Sequence, residues 1–423
     1  MTLAANILGG AKSRLLPASI PFRFFGAAAI FHLLMWLVLL TSANDATSFH
    51  GGLGPVLAAV HLLTLGVLTS TAIGASAQLL PVATRRPLAA HWPIRLVFWL
   101  FVPGVVGLCT GMYAAQPAIM TLAAVATVAG MIIFAAILAD NLRRAGALPV
   151  VAAYGWAALL SLLLLAGIGL ALAGDYQIGI LPDHGAVALT HMILGGFGFM
   201  GLLALGFSHI LVPMFSLAAT PAAGPAFVGF ALAAAAVAIG SVGAVAGSSL
   251  MLTFAASIGL GAAGLHLRLM HRTLTTGMRK RLGLSFALIR AAWALLPLTL
   301  LVGLAALYGF AGSNGPTLFG FLLIWGWLLT FLLGILQRIL PFLASMHATR
   351  SPGRSPPLIS EMAASSPIRI HAICHFVALF VVASAIAADM PALLRIGAAV
   401  GFVGASAFIW FTADVMRCLV RPS

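Results

Sequence analysis

The sequence predicts an all-α integral membrane protein with twelve transmembrane helices, arranged as three pseudo-repeated four-helix units within one polytopic domain. Three observations support this prediction. The chain of 423 residues is 62% hydrophobic and only 7% charged, with a mean hydropathy of +1.14, whereas soluble proteins are about 25% charged. Long apolar stretches recur along the whole chain, and a transmembrane helix needs about 20 predominantly apolar residues. Lysine and arginine fall almost entirely in alternate connections, as in polytopic membrane proteins.

Twelve apolar stretches have the length that a membrane-spanning helix requires. Short connections separate them, except for a basic loop after span eight and a Pro- and Ser-rich loop between spans ten and eleven. No stretch has the composition of a soluble domain. The predicted spans are 22–41, 55–81, 93–114, 117–139, 150–173, 186–213, 225–246, 249–268, 287–310, 317–343, 368–388 and 392–416.

Positive charge predicts the orientation of these spans. Connections rich in lysine and arginine face the inside, so we predict that both termini are inside (N-in/C-in). The opposite connections hold Asp45, Asp175, Asp183 and Asp389, with Arg395 as their one basic residue. The basic residues on the predicted inner side are Lys12, Arg14, Arg23, Arg85, Arg86, Arg95, Arg143, Arg144, Arg268, Arg272, Arg279, Lys280, Arg281, Arg290, Arg338, Arg350, Arg354, Arg369, Arg417 and Arg421.

Spans two, six and ten share a pattern that indicates internal duplication. Each has a glycine between bulky apolar residues, then a polar residue, then a proline near its end. Matching positions, at offsets of 130 or 128 residues, are His61 and His191, Gly66 and Gly196, Phe197 and Trp325, Gly198 and Gly326, His209 and Gln337, and Pro213 and Pro341. About four spans separate the copies, which predicts pseudo-repeats at roughly 1–145, 146–275 and 276–423.

His61 and His191 are the leading candidates for a functional site. They occupy matching positions in two repeats, at the same depth near the outer ends of spans two and six. An imidazole inside a membrane is costly without a partner, and neutral imidazole is a common ligand of haem iron and copper. Hydrogen bonding to a neighbouring helix, or simple inheritance through duplication, is the alternative. Nearby glycines either leave room for a flat macrocycle or allow close helix packing; they are Gly66, Gly195, Gly196 and Gly198.

Other histidines in the spans are weaker candidates. His32 lies near the middle of span one, and His209 lies 18 residues after His191, which predicts one shared helix face. His371 and His375 have the i,i+4 spacing that suits one metal ion, although a solvated position near the inner surface is the alternative. We expect His266, beside basic residues, to face lipid headgroups.

Several function classes find no support in the sequence. The net charge of +14 is explained by topological anchoring, so we expect no nucleic-acid partner. No nucleotide-binding loop, haem-attachment CxxCH, HExxH or serine-nucleophile motif is present. Asp414 is the one acidic residue placed for proton movement, and a pair with Arg417 is the alternative. The chain has no membrane-embedded row of acids, so we expect no ion-coupled pumping.

These residues give the chain a resemblance to a known group. Twelve spans, with a histidine in the outer part of span two, resemble subunit I of the haem-copper oxidase and nitric oxide reductase superfamily. The pieces HLLTLG, QLLPV, THMILGGFG and HILVPM are also similar to NnrS-type haem- and copper-containing membrane proteins. The resemblance implies that His61 matches the low-spin haem ligand of span two and that His191 matches the copper-site histidine of span six. Spans seven and ten lack the histidines of that superfamily, so we do not expect its usual oxygen-reducing centre.

From this resemblance we expect a non-pumping protein of a bacterial inner membrane that holds haem b, with copper as a second cofactor to test. The resemblance implies electron transfer or nitric oxide-related handling, with a respiratory-chain electron donor and an oxidoreductase activity to test. Cofactor-binding candidates are His61, His191, His32 and His209; metal-binding candidates are His371 and His375. Two alternatives stay open: a cofactor-free transporter or channel, and an accessory or assembly subunit of a respiratory complex.

Overall fold

The computed structural model describes residues 15–84, 87–88, 90–145, 148–348, 362 and 364–420. Within them, twelve helices are long and apolar enough to cross a membrane, which confirms the predicted multi-pass architecture. They are α1 (Ser19–Thr41), α2 (Pro55–Val82), α3 (Trp92–Tyr113), α4 (Pro117–Arg143), α5 (Pro149–Ile178), α6 (His184–Ser216), α7 (Ala223–Val245), α8 (Ser249–Thr276), α9 (Leu284–Leu307), α10 (Gly315–His347), α11 (Ser365–Ala387) and α12 (Pro391–Leu419). The topology predictions for Lys12, Arg14, Arg85, Arg86, Arg350, Arg354 and Arg421 lie outside the described residues.

Local sequence explains where several helices begin and end. Proline occupies the first turn of α2, α3, α4, α5 and α10, where its missing N–H costs nothing. The Asp183 side chain caps α6 by accepting a hydrogen bond from the Ala186 amide. Gly179 ends α5 in the left-handed conformation at φ 59°. Several helices extend beyond the predicted spans, because hydropathy marks the apolar part of a helix and not its polar ends.

Consecutive helices run in opposite directions, so the connections gather at two ends of the bundle. The "mouth end" holds the connections after α1, α3, α5, α7, α9 and α11. There, Thr317 donates to the Phe49 carbonyl at 2.8 Å, and the Asn314 amide donates to the Ile386 carbonyl at 3.1 Å. At the opposite, "basic end", the Arg338 guanidinium donates to Ser285 at 2.7 Å. All of the described lysines and arginines except Arg395 lie toward the basic end.

Burial is uneven among the helices. In its most apolar window, α10 is 78% buried and α2 is 72% buried, against 22% for α8. Large apolar side chains such as Leu122, Leu250 and Phe380 are about three-quarters exposed. A helix that is apolar on every side and exposed on one is suited to lipid. The central position therefore belongs to α2 and α10, and most other helices present a lipid-facing surface.

Three of the helices contain an eight-residue π-helical segment. These segments are Leu62–Thr69 in α2, Leu194–Gly201 in α6 and Leu322–Leu329 in α10. They fall in the same three spans that share the sequence pattern, and their spacing is close to the offsets of that pattern. The segment in α6 packs on the one in α10, since a Cβ at Gly196 would lie 2.8 Å from the Leu323 side chain. π-Helical turns are rare and are frequent at functional sites.

Candidate functional site

A cavity of about 610 Å³ lies between α2, α6 and α10, with α3, α4 and α5 forming its remaining wall. It extends from the connections at the mouth end into the bundle. Its deep walls are apolar and include Met131, Leu165, Phe199, Leu323 and Trp325. Cavities of roughly 300–1,000 Å³ with apolar walls and a few polar groups are typical binding sites for small molecules and cofactors.

His61 and His191 both line this cavity. Their ring centroids are 6.4 Å apart and their ring planes are inclined by 30°. His61 is the last residue before the π segment of α2, and His191 precedes that of α6 by one turn. The two histidines thus enter from different helices at the same depth, as their matching sequence positions predict.

The hydrogen bonding of His61 defines its tautomer. Its Nδ1 lies 3.0 Å from the Leu57 carbonyl oxygen, one turn earlier on α2. Because a carbonyl only accepts, Nδ1 carries the proton and Nε2 keeps a free lone pair. Histidines that bind metals usually donate their other ring N–H to a carbonyl or carboxylate in this way. The His61 side chain is therefore prepared to act as a ligand through Nε2.

Gly169 on α5 provides the space for the His191 ring. A Cβ at this position would lie 3.1 Å from His191 Cε1, closer than most side-chain contacts allow. The sequence prediction did not include Gly169, because a single glycine in an apolar span gives no signal of its own. Of the glycines that it did include, Gly66 and Gly198 pack against Phe31 and Ser161.

Those two glycines therefore serve close helix packing. Gly195 and Gly196 also approach neighbouring leucines, with a Cβ at 3.3 Å from Leu165 and 2.8 Å from Leu323. Unlike the other two, they line the cavity as well. Both of the roles that the sequence leaves open for these glycines thus occur in the fold.

The third π-containing helix contributes aromatic residues instead of a histidine. Phe321 on α10 is the last residue before its π segment, the position that His61 has on α2. Its ring stacks on Trp325 with centroids 5.5 Å apart, and both rings line the cavity. Trp325 Nε1 donates to Met35 Sδ at 3.1 Å, which holds the indole against α1. The cavity therefore has two imidazole walls and one aromatic wall.

Polar groups concentrate where the cavity opens at the mouth end. His50 and His184 line this part of it. His184 Nδ1 lies 2.7 Å from Asp175 Oδ2, and the Leu181 amide donates to the other oxygen of the same carboxylate at 2.7 Å. His50 Nε2 lies 3.1 Å from the Ser313 carbonyl. The mouth can thus hold polar or charged parts of a ligand whose body lies among the apolar walls.

The geometry of the histidine pair fits two axial ligands of one metal ion. A metal–imidazole bond is about 2.0–2.1 Å and the ring centroid lies roughly 1.1 Å farther on, so opposed ligands have centroids about 6.3 Å apart. The pair in the cavity lies at 6.4 Å. Among the described residues, no group of three or more His, Cys, Asp or Glu side chains could hold a metal ion. A porphyrin supplies four ligands itself, so two histidines suffice for haem but not for a copper site of three protein ligands.

His32, His371 and His375 form a second group, here called the α11 histidine cluster. All three are buried, and none of them lines the cavity. The His371 ring lies 6.0 Å from both His32 and His375, measured between centroids. Gln337 Nε2 lies 3.0 Å from His371 Nδ1, and Thr330 Oγ1 lies 2.7 Å from His375 Nε2. The solvated position considered for His371 and His375 is wrong, because α1, α10 and α12 enclose them.

His209 and His266 form a third group on the other side of the bundle. Their ring centroids are 5.8 Å apart, and His209 stacks on Tyr154 at 5.8 Å. His266 is 2% exposed and contacts Trp293, so the prediction that it faces lipid headgroups is wrong. Neighbouring basic residues suggested a surface position, but its face of α8 turns toward α6 and α9.

The shared face predicted for His191 and His209 does not give them shared neighbours. His191 meets His61 across the cavity, whereas His209 meets Tyr154 and His266. The π segment between them contains i→i+5 turns, each with one residue more than an α-helical turn, so it rotates the later part of α6. A count of 18 residues therefore no longer equals five full turns.

Two other polar predictions concern helix ends. Gln337 joins α10 to α11 through its bond to His371, as expected for an interhelical hydrogen bond. Gln78 is fully buried, and its two amide atoms have no partner among the described residues. The predicted pair of Arg417 and Asp414 is present at 3.2 Å.

The fold and cavity together define the class of protein: a multi-pass α-helical membrane protein with an apolar, histidine-containing cavity at the level of its π segments. No model of a known protein family matches the chain, and no curated protein matches it either. The similarity to the haem-copper oxidase superfamily and to NnrS-type proteins therefore stays a prediction from sequence motifs.

Proposed function

We propose that this protein holds one haem b between His61 and His191 and uses it for electron transfer or for handling nitric oxide or a related small molecule. The observation that carries the proposal is the separation of the two imidazoles, 6.4 Å between centroids, inside a cavity of about 610 Å³. That separation matches the roughly 6.3 Å of two opposed axial ligands. The apolar walls suit a macrocycle, and the polar mouth suits its carboxylate groups.

The chain's own residues account for three tasks at such a site. The Leu57 carbonyl fixes the tautomer of His61 and raises the basicity of its free nitrogen. Gly169 keeps the space in which the His191 ring turns toward the cavity. Phe199, Trp325 and their apolar neighbours exclude water from the deep part of the cavity, which sets the local dielectric. Haem, when bound, supplies one-electron chemistry at a potential that these residues adjust.

The rest of the proposal concerns arrangement and location. We propose an N-in/C-in orientation, with the basic end at the cytoplasmic side of a bacterial inner membrane. We also propose that the three π-containing helices mark three duplicated four-helix units. The aspartates of the described residues are all at least partly exposed, which supports a role without proton pumping. The electron donor would then be a respiratory-chain component that approaches from the membrane or the mouth end.

A haem and metal count on purified protein tests this function. The protein is produced in haem-replete cells, and haem is quantified as the pyridine haemochrome while iron and copper are measured by mass spectrometry. We expect about one haem iron per chain. Copper without haem would point to a linear two-histidine copper site. A folded protein with neither would favour the transporter or accessory-subunit alternatives.

A further inference from the structure

The α11 histidine cluster is connected to the cavity through hydrogen bonds. His375 Nε2 lies 2.7 Å from Thr330 Oγ1, and this hydroxyl donates to the carbonyl oxygen of Trp325 at 3.2 Å. Trp325 belongs to the π segment of α10 and lines the cavity. Two hydrogen bonds therefore join a fully enclosed imidazole to the backbone of the cavity wall.

The hydrogen bonds also define which ring atoms carry protons. Because Thr330 uses its one proton on the Trp325 carbonyl, it accepts from His375 Nε2–H, which leaves His375 Nδ1 as a basic nitrogen. The Trp36 indole can only donate, and it does so to His32 Nε2 at 3.1 Å. The proton of His32 is therefore on Nδ1, an atom without a hydrogen-bond partner among the described residues.

His371 adds to the unmet polar capacity of this cluster. The amide of Gln337 contacts its Nδ1, while His371 Nε2 and Gln337 Oε1 are buried without partners in the described part of the chain. Buried polar groups are nearly always paired, so a cluster of unpaired ones indicates a functional role or a small polar guest. Here the unpaired atoms come from α1, α10 and α11 and surround a single small volume.

We propose that the α11 histidine cluster accepts one proton when the cavity site accepts one electron, with His375 Nδ1 as the atom protonated. This inference rests on the proposed haem function. In the balanced step, a one-electron donor reduces the cavity site, one proton leaves the aqueous phase, and an N–H bond forms at His375. No bond of the chain breaks. The added positive charge offsets the added electron, which is worth most in a poorly hydrated interior.

No acid is near enough to make this compensation unnecessary. The ionisable side chains on the helices packed against α11, and on α11 itself, are His32 and Arg23 on α1, Arg290 on α9, Arg338 and His347 on α10, Arg369 and Cys374 on α11, and Arg395, Asp414 and Arg417 on α12. Asp414 is the one carboxylate among them, and it pairs with Arg417. Arg338 is bonded to Ser285 and to the Leu282 carbonyl.

A redox titration at several pH values tests the proposal. The haem-loaded protein is titrated with dithionite and ferricyanide between about pH 5 and pH 8, the range in which histidine titrates, and the midpoint potential is read from the absorption spectrum. Proton uptake favours the reduced form, so we expect the midpoint potential to fall as the pH rises. We expect His375→Gln and His375→Asn to abolish this fall, and Thr330→Val to move it along the pH axis.

His266→Gln is the matched control. His266 is equally buried and has two unpartnered ring nitrogens, but it lies on α8 away from the cavity wall. This variant should keep the pH dependence of the unmodified protein. A pH-independent midpoint in the unmodified protein, or an unchanged slope in a haem-loaded His375 variant, would overturn the proton proposal alone. Absence of haem from the unmodified protein would instead overturn the proposed function on which it rests.

Discussion

The rings of His61 and His191 lie 6.4 Å apart across one cavity, although 130 positions separate the two residues in the chain. Each comes from a helix that turns into a π segment within one turn of the histidine. This relationship gives the duplicated pattern a chemical meaning, because two copies of one position supply two ligands on opposite sides of a shared space. At the third copy, Phe321 takes that position on α10.

Substitution of Gly169 should weaken the cavity site without unfolding the protein. In Gly169→Val, the new side chain collides with His191 Cε1, which a Cβ alone would approach to 3.1 Å. Overpacking of this kind costs about 1–3 kcal/mol, or roughly 5- to 150-fold in affinity. Haem content after purification measures the effect. Gly167→Val is the control, because nothing lies within 4 Å of its Cβ; equal haem loss in both variants would contradict a specific role of Gly169.

Substitution of Gly111 should destabilise the packing of α3 against α4. A Cβ at Gly111 would lie 2.5 Å from the Met120 amide nitrogen, and a backbone atom cannot move aside as a side chain can. We expect Gly111→Ala to lower the free energy of unfolding by about 1–3 kcal/mol. Thermal unfolding in detergent measures it. Gly26→Ala, where the space is open, should be neutral or stabilising, so equal melting temperatures for the two variants would speak against this packing.

The native Cys418 reports the orientation in the membrane. It is exposed near the end of α12, at the basic end, whereas Cys109 is buried. If the basic end faces the cytoplasm, a membrane-impermeant maleimide should label Cys418 in inside-out vesicles and leave it unlabelled in right-side-out vesicles. A cysteine placed at exposed Ser313, at the mouth end, should show the reverse pattern. Labelling of Cys418 from the outside would contradict the predicted topology.

Removal of the Asp175 carboxylate should loosen the connection between α5 and α6. This side chain accepts hydrogen bonds from the Leu181 amide and from His184, both at 2.7 Å. In Asp175→Ala the Leu181 amide loses its acceptor, so we expect faster hydrogen exchange there. Mass spectrometry of peptides that cover 175–184 measures the rate. Asp45→Ala, an exposed change at the same end, should leave that peptide unchanged.

The sequence predicts much of the fold but only part of the site. Hydropathy identified all twelve spans, because a bilayer requires long apolar helices. The matching positions of His61 and His191 predicted that they lie at one depth. The burial of His266 was missed because a helix that is apolar on every side does not reveal which face meets lipid.

Two further features were missed for local reasons. Nothing in the residue pattern distinguishes an i→i+5 hydrogen bond from an α-helical one, so the π segments and the rotation they impose on His209 were not predicted. Gly169 lies in a different helix from both histidines, and only the packed structure brings it against His191. Contacts between helices depend on arrangement in space, which the spacing of residues along one helix does not contain.

The most direct test of the central claim is the spin and ligation state of the ferric haem in three proteins: the unmodified chain, His61→Ala and His191→Ala. Absorption and electron paramagnetic resonance spectra should show a six-coordinate, low-spin, bis-imidazole haem in the unmodified protein. Each single variant should lose that signal, becoming high-spin or haem-free, while His266→Ala keeps it. An unchanged low-spin spectrum in either the His61 or the His191 variant would contradict the claim that these two residues bind one haem from opposite sides.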